Sequence, residues 1–221
     1  MVIETYLKEY GFDDKTINKI KKLSLKTKDN NIENNLKYFE SLEYSKDSII
    51  KMITKYYNII NYKLEFLKEK IKYFKSLNLN IREIEKITTS KPTILAYELS
   101  TLKSKIDILK KYNFNAQEIK QMIIKMPSIL SFSAETLNRK LNTLSQLNVK
   151  EVIIHNPKLA FIQSEILTLA RYNYLKEINF EFNDKSIRYL FSDNKKFTTK
   201  FKITKEELMK KYLHWSSKSR Q

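Results

Sequence analysis

Apolar side chains fall at helical spacing in one stretch of this chain after another, and the stretches repeat. Leu67, Ile71, Phe74 and Leu77 lie on one face of a helix, and Leu102, Ile106, Leu109 and Tyr112 do the same 35 residues later. The line IKYFKSLNLNIREIEKITTSKPTILAYELSTLKSK, from Ile71, superposes without a gap on IDILKKYNFNAQEIKQMIIKMPSILSFSAETLNRK, from Ile106. Self-similarity at such a period marks a stacked-repeat protein, whose units bury their apolar faces only against their neighbours. Further copies begin at Leu36, at Leu141, where the second helix is shortened, and near Tyr172; a weak copy spans residues 4–35.

The polar columns between the stripes specify where each helix stops and the next one starts. Gly11, Asn78, Asn113, Asn148 and Asn179 share the position where a left-handed C-terminal cap is expected, and Glu43 alone breaks the column. Two residues later, Asp13, Ser45, Asn80 and Asn115 are placed to accept hydrogen bonds from the first free amides of a second helix. Glu83 and Glu118 complete capping boxes, and Phe12, Tyr44, Leu79 and Phe114 are positioned to staple onto Ile17, Ile49, Ile84 and Ile119. Pro92, Pro127 and Pro157 end the second helix, because proline lacks an amide donor and disfavours helix at the residue before it; Tyr57 holds that column without a proline. The apolar residues that follow, Ile94-Leu95, Ile129-Leu130 and Leu159-Ala160-Phe161, predict a short 3₁₀-like turn packed into the core.

The expected fold is therefore an all-α superhelical solenoid, right- or left-handed, of 35-residue units with two helices and a turn each. Residues 1–202 read as one solenoid domain. The pattern fades from Phe191, and Ile203, Leu208 and Leu213 predict one more helix before a frayed tail, SSKSRQ, so that 203–221 form a basic C-terminal helix and tail.

Composition narrows the function. With no Cys, the chain offers neither a disulfide framework nor a thiolate metal site, and it is compatible with a reducing compartment. No apolar run is long enough for a membrane span, and the opening MVIETYLKEYGFDD is too acidic for a signal or transit peptide; a soluble monomer is expected. The net charge of +17 predicts a polyanionic partner. Only five of the 42 basic residues are Arg, a bias that an AT-rich genome also produces, so the distribution informs more than the total. Residues 185–221 carry 11 basic and 3 acidic side chains, against 14 and 11 in residues 1–70. No cofactor is expected: His155 and His214 are the only histidines, without metal-spaced partners, and no Gly-rich phosphate loop exists. His155, just before Asn156-Pro157, reads as a capping or structural residue.

The helix, helix, Pro-x-Ile/Leu-Leu turn at this spacing resembles the mitochondrial transcription termination factor (mTERF) repeat. The resemblance rests on Pro92-Thr93-Ile94-Leu95, Pro127-Ser128-Ile129-Leu130 and Pro157-Lys158-Leu159, on Leu102, Leu109, Leu137 and Leu144, and on a C-terminal line from Leu169 to Phe197. It implies a curved solenoid whose concave basic face binds double-stranded DNA or structured RNA without catalysis, in transcription, its termination, or RNA metabolism. It also implies a mitochondrial or plastid location, or a cytoplasmic one in a bacterium. Tetratricopeptide and pentatricopeptide repeats have nearly the same length, but they use small residues between helices where this chain has Leu, Ile, Phe and Tyr. The competing functional reading is a protein-interaction scaffold, since solenoids bind proteins as readily.

Candidate contacts follow from the columns. Lys70, Lys105 and Lys140 recur one repeat apart, as a ladder along a phosphate backbone would, or as lysines laying their stems over the core. Lys55 and Lys125 share a column where they complement a helix C-terminus. Arg139, Arg171 and Arg188 suit phosphate or guanine, whereas Arg82 is placed to pair with neighbouring acids. Lys195, Lys196, Lys200 and Lys202 interleave with Phe197 and Phe201, as a backbone clamp with stacking rings would, or as a solvated edge over two buried aromatics.

Overall fold

A computed structural model of the chain describes residues 3–24, 31–183 and 185–212. Its elements run α1 (Ile3–Tyr10), α2 (Asp14–Ser24), α3 (Ile32–Ser41), α4 (Lys46–Lys55), a 3₁₀ turn (Tyr57–Asn61), α5 (Leu64–Ser76), α6 (Ile81–Ser90), a 3₁₀ turn (Pro92–Ala96), α7 (Leu99–Lys111) and α8 (Ala116–Lys125). They continue with a 3₁₀ turn (Pro127–Ser131), α9 (Ala134–Ser145), α10 (Lys150–His155), α11 (Pro157–Ile162), α12 (Glu165–Glu177), a 3₁₀ turn (Ile187–Phe191), α13 (Asn194–Phe201) and α14 (Lys205–Tyr212). No strand occurs among the described residues, and none of their helices is long and apolar enough to cross a membrane. The architecture is an all-α solenoid of helix, helix and turn.

The linker chemistry explains why the units are alike. Gly11, Glu43, Asn78, Asn113, Asn148 and Asn179 all have φ between 52° and 103°, so Glu43 takes the left-handed conformation that its column requires. At five of these positions, all but Asn148, the left-handed residue donates its N–H to the carbonyl three residues back, and the next residue donates to the carbonyl five back. Those two bonds close the helix end in the Schellman pattern. Asn80 and Asn115 form complete capping boxes with Glu83 and Glu118, while Asp13 and Ser45 accept from Thr16 and Ser48. All eight predicted staple side chains are buried.

The second helices end where the prolines predict. Lys91, Met126 and Asn156, each before a proline, have φ between −143° and −133° and ψ between 69° and 75°. Tyr56 adopts φ −148° and ψ 76° although Tyr57 follows it, so the turn is shaped by its buried Ile59 and Ile60 as much as by proline. Two predicted features differ. The segment after Pro157 is the α-helix α11, one residue longer than the 3₁₀ turns, with the Ala160 N–H reaching the Asn156 carbonyl. The last copy lacks a second helix: after Asn179 the chain passes through a turn in which the Asn183 side chain accepts from the Lys185 and Ser186 N–H groups, and then enters the 3₁₀ turn at Ile187.

The chain divides into two compact units, residues 1–107 with 127–131, and residues 108–126 with 132–221. In the first, the three 3₁₀ turns pack on one another in succession, α2 packs on the 57–61 turn, and α4 packs on both that turn and α6. In the second, α8 packs on α10, α9 on α12, and α14 on α12, where Glu177 accepts from Lys211 and Tyr212. The segment from Lys205 is thereby docked on the solenoid. Leu213 and the SSKSRQ tail lie outside the described residues.

Candidate nucleic-acid interface

The column that reads as either a phosphate ladder or a set of lysines laid over the core is buried. Lys70, Lys105 and Lys140 are 0%, 6% and 9% exposed, and the same register position holds Asn35 and Arg171, also buried. What the column does is visible where its partners are polar. The Asn35 amide donates to the Ile60 carbonyl at 2.9 Å and the Tyr62 carbonyl at 2.7 Å, at the end of its own repeat's turn. Lys140 Nζ donates to the Gln163 carbonyl, just past α11, at 3.1 Å. Arg171 donates to the Leu190 carbonyl at 3.1 Å and the Ser192 carbonyl at 2.6 Å, and its guanidinium lies 4.3 Å from the centre of the Phe197 ring.

These side chains therefore latch a first helix to the turn that closes the same unit, supplying donors to carbonyls at its end, of which the Leu190 carbonyl also accepts from the Gln163 amide at 2.9 Å. Lys70 finds other partners, the Phe66 ring at 3.7 Å and Glu69 Oε2 at 3.1 Å. Burial pushes the Lys105 ammonium below its ordinary pKa and the Arg171 guanidinium down to about 10. The structure thus places Lys70, Lys105, Lys140 and Arg171 in the core and not on the open face that the phosphate reading of these residues requires. The column sits at the edge of the apolar stripe, where the next packed element decides between core and water.

The remaining candidates stay at the surface. Lys125 is exposed and its Nζ donates to the Ile154 carbonyl near the end of α10, as Lys55 does to Thr89 near the end of α6; both complement the C-terminal end of the next repeat's second helix. Exposed Arg139 places Nε 3.0 Å from Glu165 Oε1. Burial raises the Glu165 carboxyl, but its own backbone N–H and the Arg139 and Lys140 cations outweigh that and hold it below the usual range. Exposed Arg188 shares a groove of about 700 Å³ with Lys150, Glu151 and His155. His155 binds back to Glu151, through its carbonyl at 2.9 Å and its carboxylate at 3.3 Å, which fits a local structural role.

Lys195, Lys196, Lys200 and Lys202 are all exposed on or next to α13. The interleaved rings point inward: Phe197 is buried, and Phe201 packs edge-on against Phe180 and Tyr189 with centres 5.3 and 5.5 Å apart. The cluster is a cationic edge over an aromatic core, with Lys200 4.9 Å above the Tyr189 ring.

One exposed basic column was legible in the register and missed. Lys51 and Lys86 stand 35 residues apart on α4 and α6, and Lys19, two residues beyond Ile17 as Lys51 is beyond Ile49, holds the equivalent place on α2. All three are exposed. Between α4 and α6, Lys51 and Lys86 line a groove of about 480 Å³ together with Lys55, Arg82 and Glu85. Arg82 donates to the Glu43 carbonyl at 2.7 Å and to Glu85 Oε2 at 3.2 Å, the local pairing that its neighbours in sequence suggested.

Among the described residues, no group of three or more His, Asp or Glu side chains is placed to hold a metal ion. No curated protein matches the chain. The mTERF family model matches residues 25–184, more than two thirds of the chain, across the repeats whose caps and turns are described above. The chain belongs to the mTERF family.

Proposed function

We propose that this chain is a non-enzymatic nucleic-acid-binding protein that holds duplex DNA or structured RNA by its phosphate backbone and so influences transcription or RNA metabolism. The observation that carries the reading is the combination of mTERF membership with exposed cations on both units, among them Lys51, Lys86, Arg188, Lys195, Lys196, Lys200 and Lys202. Such side chains contact phosphates and displace condensed counterions, which gives affinity and register without reading the bases.

The test is binding of the full chain to a labelled duplex and a labelled RNA hairpin across a salt series. Neutralising six or more phosphates should cost roughly 10³-fold or more in affinity between 50 and 200 mM salt. Affinity that is indifferent to salt would sink the proposal. Tight binding of a protein partner with no nucleic-acid binding would favour the scaffold reading instead.

A further inference from the structure

We infer that the Lys19, Lys51 and Lys86 column, with the groove between α4 and α6, is a phosphate-contact surface on the first unit. The inference rests on the nucleic-acid reading and names the site where that unit would make its contacts.

The groove's charge comes first. Of the side chains that line it, Lys51, Lys55, Arg82 and Lys86 are basic and Glu85 is acidic. Glu85 is already committed: Oε1 accepts from the Ser45 N–H at 2.9 Å and from its hydroxyl at 3.0 Å, and Oε2 takes Arg82 at 3.2 Å. Burial raises this carboxyl, but the hydrogen bonds from Ser45, Ser48 and Arg82 outweigh it, so the group stays ionised and its charge is directed into the protein. Lys55 is fixed by one bond to the Thr89 carbonyl, and an ammonium group has three donors. Lys51 and Lys86 make no ion pair among the described residues, and their heads face solvent. The groove therefore keeps a net positive charge that nothing within it balances.

Spacing comes second. Packed helices lie about 8–10 Å apart, and the phosphates of one strand advance about 3.4 Å each along the axis. On α4 and α6, which pack together, Lys51 and Lys86 thus meet roughly every third phosphate of a strand laid across the two helices, with Lys19 on α2 extending the column past the 57–61 turn. The groove is otherwise lined by Ser and Thr, which suit phosphate oxygens, and it offers no aromatic or large apolar anchor of the kind that a protein partner needs. The groove between α10 and the 187–191 turn of the second unit differs, since Lys150 there is paired to Glu118 at 2.9 Å and Val149, Val152, Leu159 and Ile187 add an apolar lining.

The experiment compares the salt slope of duplex and hairpin binding for the full wild-type chain, the Lys19→Gln/Lys51→Gln/Lys86→Gln triple, and a control triple. The control, Lys72→Gln/Lys75→Gln/Lys103→Gln, removes the same charge from exposed positions on first helices of the same unit. The site triple should lower the slope of log K against log salt by about 2–3, near 0.9 for each phosphate no longer neutralised, and the control by much less. Equal reductions in both triples would show an effect of net charge alone and overturn the site. A wild-type chain that binds nucleic acid, with a site triple that matches it, would overturn the site and leave the proposed function standing. A wild-type chain that binds neither nucleic acid would remove both, and binding of polyglutamate in its place, abolished in the site triple, would reassign the groove to an acidic protein surface.

Discussion

Glu43 stands in a left-handed conformation, φ 61°, that its side chain disfavours and that Gly or Asn fills in the other copies. The conformation persists because the Schellman bonds from Glu43 and Tyr44 and the burial of Tyr44 over-determine it. Glu43→Asn keeps the backbone bonds and relieves part of the strain, so it should stabilise the fold by about 0.5–1 kcal/mol, read as a higher midpoint in urea. Arg171 is the opposite case, a residue whose removal leaves its partners unpaired. Arg171→Leu orphans the Ser192 carbonyl, takes away the donor to Asn194 Oδ1 and leaves the Leu190 carbonyl only its bond from the Gln163 amide, and a loss of about 3 kcal/mol or more is expected. A loss under about 1 kcal/mol would show that water or a shifted turn replaces those bonds. The sequence offers Arg171 as a phosphate candidate because it shows the chemical type of a side chain and not what encloses it.

Among the elements, the turn after each second helix shows which of its residues set its shape. The backbone before Tyr57 matches the backbone before Pro92, Pro127 and Pro157, so the turn does not need the ring. Pro127→Ala should cost about 1–2 kcal/mol, through the entropy of the unfolded chain and the loss of buried ring carbons. Ile129→Ala removes a fully buried side chain from the same turn and should cost about 2–5 kcal/mol. Thermal unfolding of the two variants checks the contrast, and a larger loss for the proline variant would overturn it. The caps were readable from sequence because their hydrogen bonds span three residues and depend on residue type. The missing second helix of the last copy was not, because the Asn183 turn competes with helix only where too few residues remain before the next packed segment.

Across the molecule, several carboxylates are held ionised by bonds between elements. In Glu85, Glu118 and Glu165 burial raises the pKa, but hydrogen bonds outweigh it: from Ser45 and Arg82 on Glu85, from Lys150 on Glu118, and from the residue's own backbone and Arg139 on Glu165. All three therefore titrate below the ordinary glutamate range. As pH falls through that range the folded state binds fewer protons than the unfolded one, so the stability these bonds add is present above it and is lost on acidification. The unfolding midpoint should hold steady from neutral pH to about 5 and then fall, more steeply as the net charge climbs above +17. Glu85→Gln/Glu118→Gln should start less stable and show a shallower acid fall. A variant with the wild-type acid slope would place the effect in other carboxylates.

The period, the helix ends and the turns were legible in the sequence alone, because they rest on bonds between near neighbours and on apolar faces that recur at helical spacing. Which lysines belong to the core and which to the surface was settled by packing. Lys70 and Lys86 are the same residue type, each one position from the apolar stripe, at Ile71 and Ile87. The first is enclosed and the second faces water, since that outcome depends on the helix or turn laid against each face and on whether its carbonyls need a donor.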